Sequence, residues 1–279
     1  MQTIRIAYSP DSDDAFMFMP LLEGKVPSRG FTFEASRADT ETLNGLAEAG
    51  EIDVLAVSIA QYARVSDRYL LLPHGASVGR GYGPVIVARE PRTLASLQNA
   101  RIAIPGRRTT AALVTSLLVD AFEPVEIPIV PYAAVFDAVR SGAVDAAVVI
   151  HEGRLLYEKE GLHAVCDLGQ EWQRQTGLPL PLGGNAIRRG LGDATIREVS
   201  AACAESIAWA LEHRDAMIAA LGGEGAVLDR AGLDRYLAMY ANEDTRTMKD
   251  DVRAAVAELF KRGGSRGLLA PDARPDFAP

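Results

Sequence analysis

Polar residues follow four apolar segments of this 279-residue chain, at the points where each segment would end as a β-strand. These polar positions are residues 9–14, Ser58, residues 105–110, and His151-Glu152. In open α/β sheets, ligands bind beyond the carboxyl ends of the strands. If two such sheets face each other, the four sets of polar groups meet in one cleft. The sequence therefore predicts a small-molecule site between two lobes.

Residues 106–110 have the features of an anion site. A turn containing Gly106 leads directly into a predicted helix, and the first turn of a helix presents unpaired backbone N–H groups and a partial positive charge. Thr109 and Thr110 add hydroxyls that can hold a carboxylate oxygen. Alternatively, Thr109 is an ordinary N-cap that satisfies the helix itself. The two interpretations are compatible.

His151 ends a strongly apolar predicted strand and is followed by Glu152. A histidine at this place suits a general base, because its ordinary pKa lies close to the working pH. The alternative is a structural histidine whose ring covers the end of a strand. Position alone favours the structural interpretation.

Three acidic residues, Asp11, Asp13 and Asp14, lie at the start of the first predicted helix. Such a group can hold a divalent cation. Acids in the first turn of a helix are also favoured by the helix dipole. The dipole interpretation is preferred, so no metal site is predicted.

Composition argues against several classes of protein. The net charge is −8 and the lysines and arginines are scattered, so nucleic acid is not an expected partner. No apolar run approaches about 18 residues and no secretory signal is visible, which predicts a cytoplasmic protein with neither a transmembrane helix nor a membrane partner. Cys166 and Cys203 are expected to be reduced. The glycine-rich run 79–84 precedes a strand, so it fails the context test for a dinucleotide loop.

Short β-branched runs alternate with amphipathic stretches of helix length, which predicts an α/β fold with largely parallel sheets. The expected strands are 3–8, 54–57, 85–88, 101–104, 127–130 and 146–150. The expected helices are 14–22, 40–49, 109–121, 133–141, 195–221, 229–240 and 247–262.

A weak internal repeat suggests two related lobes. Arg5-Ile6-Ala7 opens a strand, a polar loop and a helix, and Arg101-Ile102-Ala103 does the same further along the chain. Gly50-Glu51-Ile52-Asp53 and Gly142-Ala143-Val144-Asp145 each follow a predicted helix and enter a strand. Glycine after a helix fits a C-cap.

Blocks of specific residues run through nearly the whole chain. The most specific is Val149-Ile150-His151-Glu152-Gly153-Arg154, with Asp167-Leu168-Gly169 and Trp172 after it. The others are Ser9-Pro10 with Asp14 and Phe16, Leu43-Asn44, residues 53–58, Gly81-x-Gly83-Pro84, Ile102-Ala103-Ile104-Pro105-Gly106 with Thr109-Thr110, and Tyr240-Ala241-Asn242-Glu243. In this order the blocks resemble the 1,4-dihydroxy-6-naphthoate synthase family, which acts in menaquinone biosynthesis by the futalosine pathway.

The resemblance implies a fold similar to that of type II periplasmic binding proteins, with two lobes and a mixed, largely parallel sheet in each. The larger lobe would combine residues 1–87 and 184–279, and the smaller would cover 88–183. The crossovers near 87–88 and 183–184 would form a hinge. Closure would exclude water from the cleft.

The resemblance also implies the chemistry. Enzymes of this family are lyases that cleave cyclic dehypoxanthine futalosine to 1,4-dihydroxy-6-naphthoate without a cofactor. The residue that matches the family's base is His151, which would take a hydroxyl proton and start a retro-aldol type of carbon–carbon cleavage. The residues that match its substrate contacts are Ala56, Val57, Ser58, Thr109 and Thr110, with Asn44 as a further candidate. The partner is then a small carboxylate, with monomer and homodimer both open.

One segment departs from the family pattern. The family usually has Ser-Pro-Cys-Pro-Asn-Asp-Thr-Phe where residues 9–16 of this chain read Ser-Pro-Asp-Ser-Asp-Asp-Ala-Phe. The additional acid, Asp11 included, would repel a carboxylated substrate unless Arg80, Arg107 or Arg108 offsets it. An altered ligand is therefore one alternative. A non-catalytic carboxylate-binding protein of the same fold is another, and chorismate dehydratase, which lacks the His-Glu block, is a third.

Overall fold

The structure, a computed structural model, describes residues 1–223 and 226–279, in which strands and helices alternate along the chain. The strands are β1 (Gln2–Tyr8), β2 (Phe31–Arg37), β3 (Val54–Ser58), β4 (Tyr69–Leu71), β5 (Ser77–Gly79), β6 (Val85–Ala88), β7 (Arg101–Ile104), β8 (Glu123–Glu126), β9 (Ala146–Val149), β10 (His163–Asp167) and β11 (Leu180–Arg188). The helices are α1 (Ser12–Leu22), α2 (Thr40–Ala49), α3 (Ile59–Val65), α4 (Thr110–Leu118), α5 (Tyr132–Arg140), α6 (Leu168–Thr176), α7 (Asp193–Glu212), α8 (Arg214–Leu221), α9 (Arg230–Tyr240), α10 (Glu243–Arg246) and α11 (Asp250–Ser265). Short 3₁₀ turns cover Leu94–Leu97, His151–Leu155 and Arg189–Leu191.

Two mixed sheets form the frame of the molecule. The strand order of the first is β2-β1-β3-β11-β4, with β5 also paired to β11, and that of the second is β10-β6-β9-β7-β8. β1 pairs in parallel with β2 and β3, as β7 does with β8 and β9. β11 and β6 run antiparallel to these cores. The predicted α/β class with two mixed sheets is confirmed, and the parallel core of each sheet is three strands wide.

Hydrogen bonds confirm the internal repeat. The backbone N–H of Arg5 donates to the carboxylate of Asp53 at 2.9 Å. The backbone N–H of Arg101 donates to the carboxylate of Asp145, also at 2.9 Å. Each aspartate returns a bond from its own N–H to the carbonyl of its arginine. The first strand of each half is therefore tied in the same way to the segment that enters the third.

The chain passes between the two sheets twice, each time a few residues before the expected place. β6 lies wholly in the second sheet and β11 wholly in the first, so the exchange points expected near 87–88 and 183–184 fall inside strands. The passages lie between β5 and β6 and between β10 and β11. At the first passage, Gly169 packs so closely against the carbonyl of Tyr82 that any Cβ would overlap it. This contact accounts for the glycine of the Asp-Leu-Gly block.

The central strands carry the apolar core. β3, β6 and β9 are buried along their whole length. Because these strands have no polar face, functional groups in this part of the fold must come from strand ends. In the two described parts of the chain, no helix is long and apolar enough to cross a lipid bilayer.

Two expected elements differ from the structure. The strand expected over 127–130 is wrong, because β8 ends at Glu126 in register with the four residues of β7. Pro128 has no N–H to extend that ladder. The helix expected over 195–221 is interrupted at His213, whose φ of −114° and ψ of 36° leave the helical region and separate α7 from α8.

Candidate active site

A cavity lies where the carboxyl ends of strands from both sheets meet. It encloses about 730 Å³, including its open mouth. Six of the seven residues predicted as the base or as substrate contacts line it: Ala56, Val57, Ser58, Thr109, Thr110 and His151. The structure thus brings the ends of β3, β7 and β9 to one place, and the first turn of α1 reaches the same cavity.

The hydroxyls of Thr109 and Thr110 are engaged by the protein itself. Thr109 Oγ1 caps α4 by accepting from the backbone N–H of Ala112 at 3.1 Å, and it donates to a carbonyl of the preceding turn at 2.8 Å. Thr110 Oγ1 accepts from the N–H of Ala60 at 3.1 Å and donates to the carbonyl of Leu182 at 2.7 Å. Since both hydroxyl hydrogens are committed to carbonyls, the N-cap interpretation describes this segment, and the hydroxyls are not the donors for a carboxylate.

The anion-binding capacity at this end of the cavity lies in the backbone. Thr110 and Ala111, the first two residues of α4, line the cavity. Their N–H groups have no acceptor among the described residues. The start of a helix also carries a partial positive charge. A carboxylate at this position would satisfy both donors.

Asn44 lies behind the cavity wall and not in it. Its side chain is fully buried and holds Ser58 at two points. The amide Nδ2 donates to Ser58 Oγ at 3.0 Å, and Oδ1 accepts from the N–H of Ser58 at 3.0 Å. Asn44 therefore fixes a residue of the wall, which corrects its expected place as a direct substrate contact.

His151 stands at the end of β9, on the 3₁₀ turn that follows it. Its φ of 50° is in the left-handed region, a strained conformation for a residue with a side chain. Ring atom Nε2 lies 3.1 Å from Oγ1 of Thr40, which also lines the cavity. Nδ1 lies 3.3 Å from Oδ2 of Asp11 and 3.4 Å from the hydroxyl of Tyr236. One side of the ring therefore meets the cavity wall and the other meets a buried acid.

The acidic segment after β1 is a buried, hydrogen-bonded group. Asp13 accepts from the hydroxyl of Tyr236 at 2.9 Å and from Oγ of Ser77 at 2.8 Å. Asp14 accepts from the N–H of Ser9 at 2.8 Å. Asp13 and Asp14 form part of the cavity wall. A search of residues 1–223 and 226–279 finds no group of histidine, cysteine, aspartate and glutamate arranged to hold a metal ion.

The three arginines expected to offset this acid point to other partners. Their carboxylate partners are Asp244 and Asp251 for Arg80, Glu126 for Arg107, and Glu41 and Glu48 for Arg108. The segment after β1 is therefore stabilised by hydroxyl and backbone donors.

Burial shifts the titration of this group. It raises the pKa of Asp11 to about 6, against the opposing effect of a charged His151. Burial, reinforced by the charge of Asp13, raises the pKa of Asp14 to about 7. Burial alone would lower the pKa of His151, but the negative charges of Asp11, Asp13 and two further acids outweigh it and raise that pKa. The carboxyls of Asp11 and Asp14 thus titrate close to neutral pH, beside a histidine whose pKa is raised.

Three members of this cluster, Glu152, Tyr132 and Tyr236, were not identified from the sequence as functional residues. Glu152 is buried, and its Oε1 accepts from the N–H of Ser12 at 3.0 Å. Its Oε2 accepts from the hydroxyl of Tyr132 at 2.9 Å. The one signal for Glu152 was its place beside His151. The tyrosines Tyr132 and Tyr236 come from α5 and α9, and no local spacing links these helices to the site.

The chain matches known proteins over almost its whole length. A family model described as menaquinone biosynthesis matches residues 4–265. The 1,4-dihydroxy-6-naphthoate synthase of Thermus thermophilus is 39% identical over 277 residues, with 99% of this chain and 100% of that protein covered. The protein of the same name from Streptomyces coelicolor is 38% identical, with 97% of each chain covered.

Solved structures agree with these matches. A crystal structure of a protein from Archaeoglobus fulgidus is 43% identical with a TM-score of 0.90, covering 96% of this chain and 98% of that one. A Candida albicans protein described as having the generic periplasmic binding protein fold is 14% identical with a TM-score of 0.70, covering 97% and 92%. The second likeness shows the fold alone. This chain therefore belongs to the menaquinone biosynthesis family, and it is similar to the 1,4-dihydroxy-6-naphthoate synthases along its whole length.

Proposed function

We propose that this protein is a carbon–carbon lyase that converts cyclic dehypoxanthine futalosine to 1,4-dihydroxy-6-naphthoate in menaquinone biosynthesis. Membership of the family and the names of the two curated relatives support the reaction. The observation that carries it is the position of His151, whose ring lines the cavity and whose Nε2 meets the hydroxyl of Thr40 in the wall. A histidine in this position suits a general base for a hydroxyl group.

In the proposed step, Nε2 of His151 takes the proton of a substrate hydroxyl. The oxygen then forms a carbonyl as the adjacent carbon–carbon bond breaks, and the sugar-derived carbons leave. The electron pair of the broken bond stays within the substrate's ring system. The step therefore needs no external oxidant or reductant, and we propose no cofactor.

The substrate carboxylate is proposed to bind at the start of α4. The N–H groups of Thr110 and Ala111 are the donors there, and the helix dipole adds to their attraction. The wall formed by residues 56–58 lies in the same cavity, with apolar groups from Leu43 and Ile150. This arrangement holds the charged end of the substrate on one side and offers an apolar surface to its ring.

The two sheets are proposed to belong to two lobes that close on the substrate, with a larger lobe built on the first sheet and a smaller one on the second. Arg108, which precedes α4, already reaches across to Glu41 and Glu48 of α2. Closure of this kind excludes water from the reacting groups. We propose a cytoplasmic enzyme whose partner is a small carboxylate, with no nucleic acid or membrane partner.

Turnover of cyclic dehypoxanthine futalosine tests the proposal. We expect the wild type to form 1,4-dihydroxy-6-naphthoate and His151→Asn to lose about 10²–10⁴-fold in kcat. Asparagine is chosen because it tolerates the left-handed backbone of this position. His163→Asn, at an exposed residue of β10, is the matched control and should keep full activity.

Each other outcome has a distinct meaning. Full activity in His151→Asn would remove the base assignment. If the wild type binds cyclic dehypoxanthine futalosine tightly but does not convert it, the protein is a binding protein. Turnover of chorismate in place of the futalosine derivative would indicate the dehydratase activity.

A further inference from the structure

The hydrogen positions around His151 can be assigned by counting donors. The hydroxyl of Tyr236 has one hydrogen, and it is donated to Oδ1 of Asp13 at 2.9 Å. The hydroxyl oxygen of Tyr236 also lies 3.4 Å from Nδ1 of His151. Toward this nitrogen it can only accept a hydrogen bond. Nδ1 therefore faces an acceptor at Tyr236, which favours a hydrogen on Nδ1.

Asp11 gives an independent reason for the same assignment. Its Oδ2 is buried and has no hydrogen bond of good geometry among the described residues. Buried carboxylate oxygens are rarely left without a donor. The group that faces Oδ2 is Nδ1 of His151, at 3.3 Å.

We propose that Asp11 is a positioning residue for the lyase reaction: its carboxylate accepts the Nδ1–H of His151 and so keeps the lone pair of the neutral ring on Nε2, at the cavity. This inference rests on the proposed function. When Nε2 takes the proton of the substrate hydroxyl, the ring becomes an imidazolium cation, and the charge of Asp11 stabilises it. Asp11 does not itself touch the substrate or receive its proton.

The charged groups around His151 determine the pKa values of Asp11 and His151. Besides Asp11, the negative groups are Asp13, Asp14 and Glu152, which come from α1 and from the turn after β9. Hydroxyls also face the pair, those of Thr40 and Tyr236 at the His151 ring and that of Tyr132 at Asp11. Burial raises the pKa of Asp11 to about 6, so this carboxyl is ionised and able to accept from Nδ1 above that pH.

The position of Asp11 distinguishes this chain from the common family pattern, in which a cysteine stands there. A neutral thiol is a weak acceptor and cannot stabilise an imidazolium by charge. The acidic residue that was expected to oppose substrate binding thus has a use in the reaction. Asp11 places a negative charge beside His151 without itself lining the cavity wall.

Nitrogen NMR of the wild-type protein tests the tautomer directly and without substrate. The chain has four histidines, so the signals of His151 can be assigned by their loss in His151→Asn. We expect the neutral ring to carry its hydrogen on Nδ1. A neutral ring with its hydrogen on Nε2 would overturn the proposal, and this measurement needs no variant of Asp11 to fold.

Asp11→Asn and Asp11→Cys test the charge. We expect the pKa of His151 to fall in both variants, and the two coupled titration steps expected of the wild type to become one. In the assay we expect kcat to fall about tenfold or more with KM little changed. Since His151 must be neutral to act as a base, the acid limb of kcat/KM should move to lower pH. Asp53→Asn, another buried aspartate but one that pairs with Arg188, should leave the pKa of His151 unchanged.

The results separate this inference from the proposed function. If Asp11→Asn leaves the pKa and tautomer of His151 as in the wild type, the positioning role is wrong, whatever the activity. If both change as expected but the wild type does not convert cyclic dehypoxanthine futalosine, the pair is real and the proposed substrate is wrong.

Discussion

The segments that follow β1 and β7 occupy equivalent positions in the two halves of the repeat, yet they offer opposite electrostatics. In both halves the first strand is tied by a backbone N–H to an aspartate that precedes the third strand. Residues 9–14 then place the carboxyls of Asp13 and Asp14 in the cavity wall and that of Asp11 behind it. Residues 105–110 place a glycine turn and the start of α4 there. One frame thus supports both ends of the proposed site, a proton-handling end after β1 and an anion-binding end after β7.

The difference shows how charge is used in a buried site. After β1, the carboxyls are buried and accept hydrogen bonds from hydroxyls of distant helices. Burial also brings the pKa values of Asp11 and Asp14 close to neutral. After β7, the arginines pair with glutamates, and the backbone donors of Thr110 and Ala111 stay available. We therefore expect a substrate with a carboxylate at one end and a reacting hydroxyl at the other to bind in one orientation.

A negative charge introduced at the start of α4 is expected to give the largest effect, which is on KM. Ala111→Asp places a carboxylate beside the N–H groups of α4, where it competes with the carboxylate of the substrate. We expect KM to rise about 100-fold over that of Ala111→Asn, because like charges placed together cost several kcal/mol. Steady-state kinetics of the two matched variants measures this. Equal KM values would mean that the substrate carboxylate binds elsewhere.

The next largest effect is expected on the free energy of unfolding, from the titration of Asp14. Its pKa is 3.8 in an ordinary environment and about 7 here, so between these values the folded protein keeps a proton that the unfolded chain has lost. The free energy of unfolding should therefore fall as the pH rises through this window, by up to about 1.4 kcal/mol per pH unit. The pKa of His151, raised by the charges of the neighbouring acids, acts in the same direction, and the pKa of His74, lowered by burial to about 4, acts in the opposite one.

A comparison of variants isolates the contribution of Asp14. Urea unfolding at pH 5 and pH 8 should show a smaller loss of stability in Asp14→Asn than in the wild type. Asp215→Asn, at a side chain that is 97% exposed, should behave like the wild type. If all three proteins lose the same stability, Asp14 is not protonated in the fold near neutral pH.

The contact across the cleft mouth gives the smallest effect. Arg108 binds Glu41 at 2.8 Å and Glu48 at 3.0 Å, but these side chains are partly exposed. We expect Arg108→Ala to lower the unfolding free energy by less than about 1 kcal/mol. KM should rise about two- to threefold if the contact helps the lobes to close, by analogy with other closure residues. Arg107→Ala, whose partner Glu126 lies in the same sheet, is the control and should leave KM unchanged.

Local patterns predicted the frame and one end of the site. The apolar runs of β1, β3, β7 and β9 marked the strands, and the residues after them marked the cleft. The cap of Thr109 followed from its place before a helix. These features depend on neighbours in sequence, which is why a single sequence was enough.

The proton-handling end depends on contacts that local patterns do not contain. Tyr132 and Tyr236 reach the acids from helices far along the chain, and neither has a sequence signal of its own. Without them, Asp11 and Asp13 could only be interpreted as exposed acids at a helix start. The misplaced strand near 127–130 has a similar cause, because pairing with β7 and not local hydropathy sets the end of β8.

A crystal structure of the wild-type protein with 1,4-dihydroxy-6-naphthoate tests the two-ended cleft most directly. We expect the carboxylate on the N–H groups of Thr110 and Ala111, with a hydroxyl within about 3.2 Å of Nε2 of His151. A carboxylate bound against Asp13 and Asp14, or a ligand with no oxygen near His151, would contradict it.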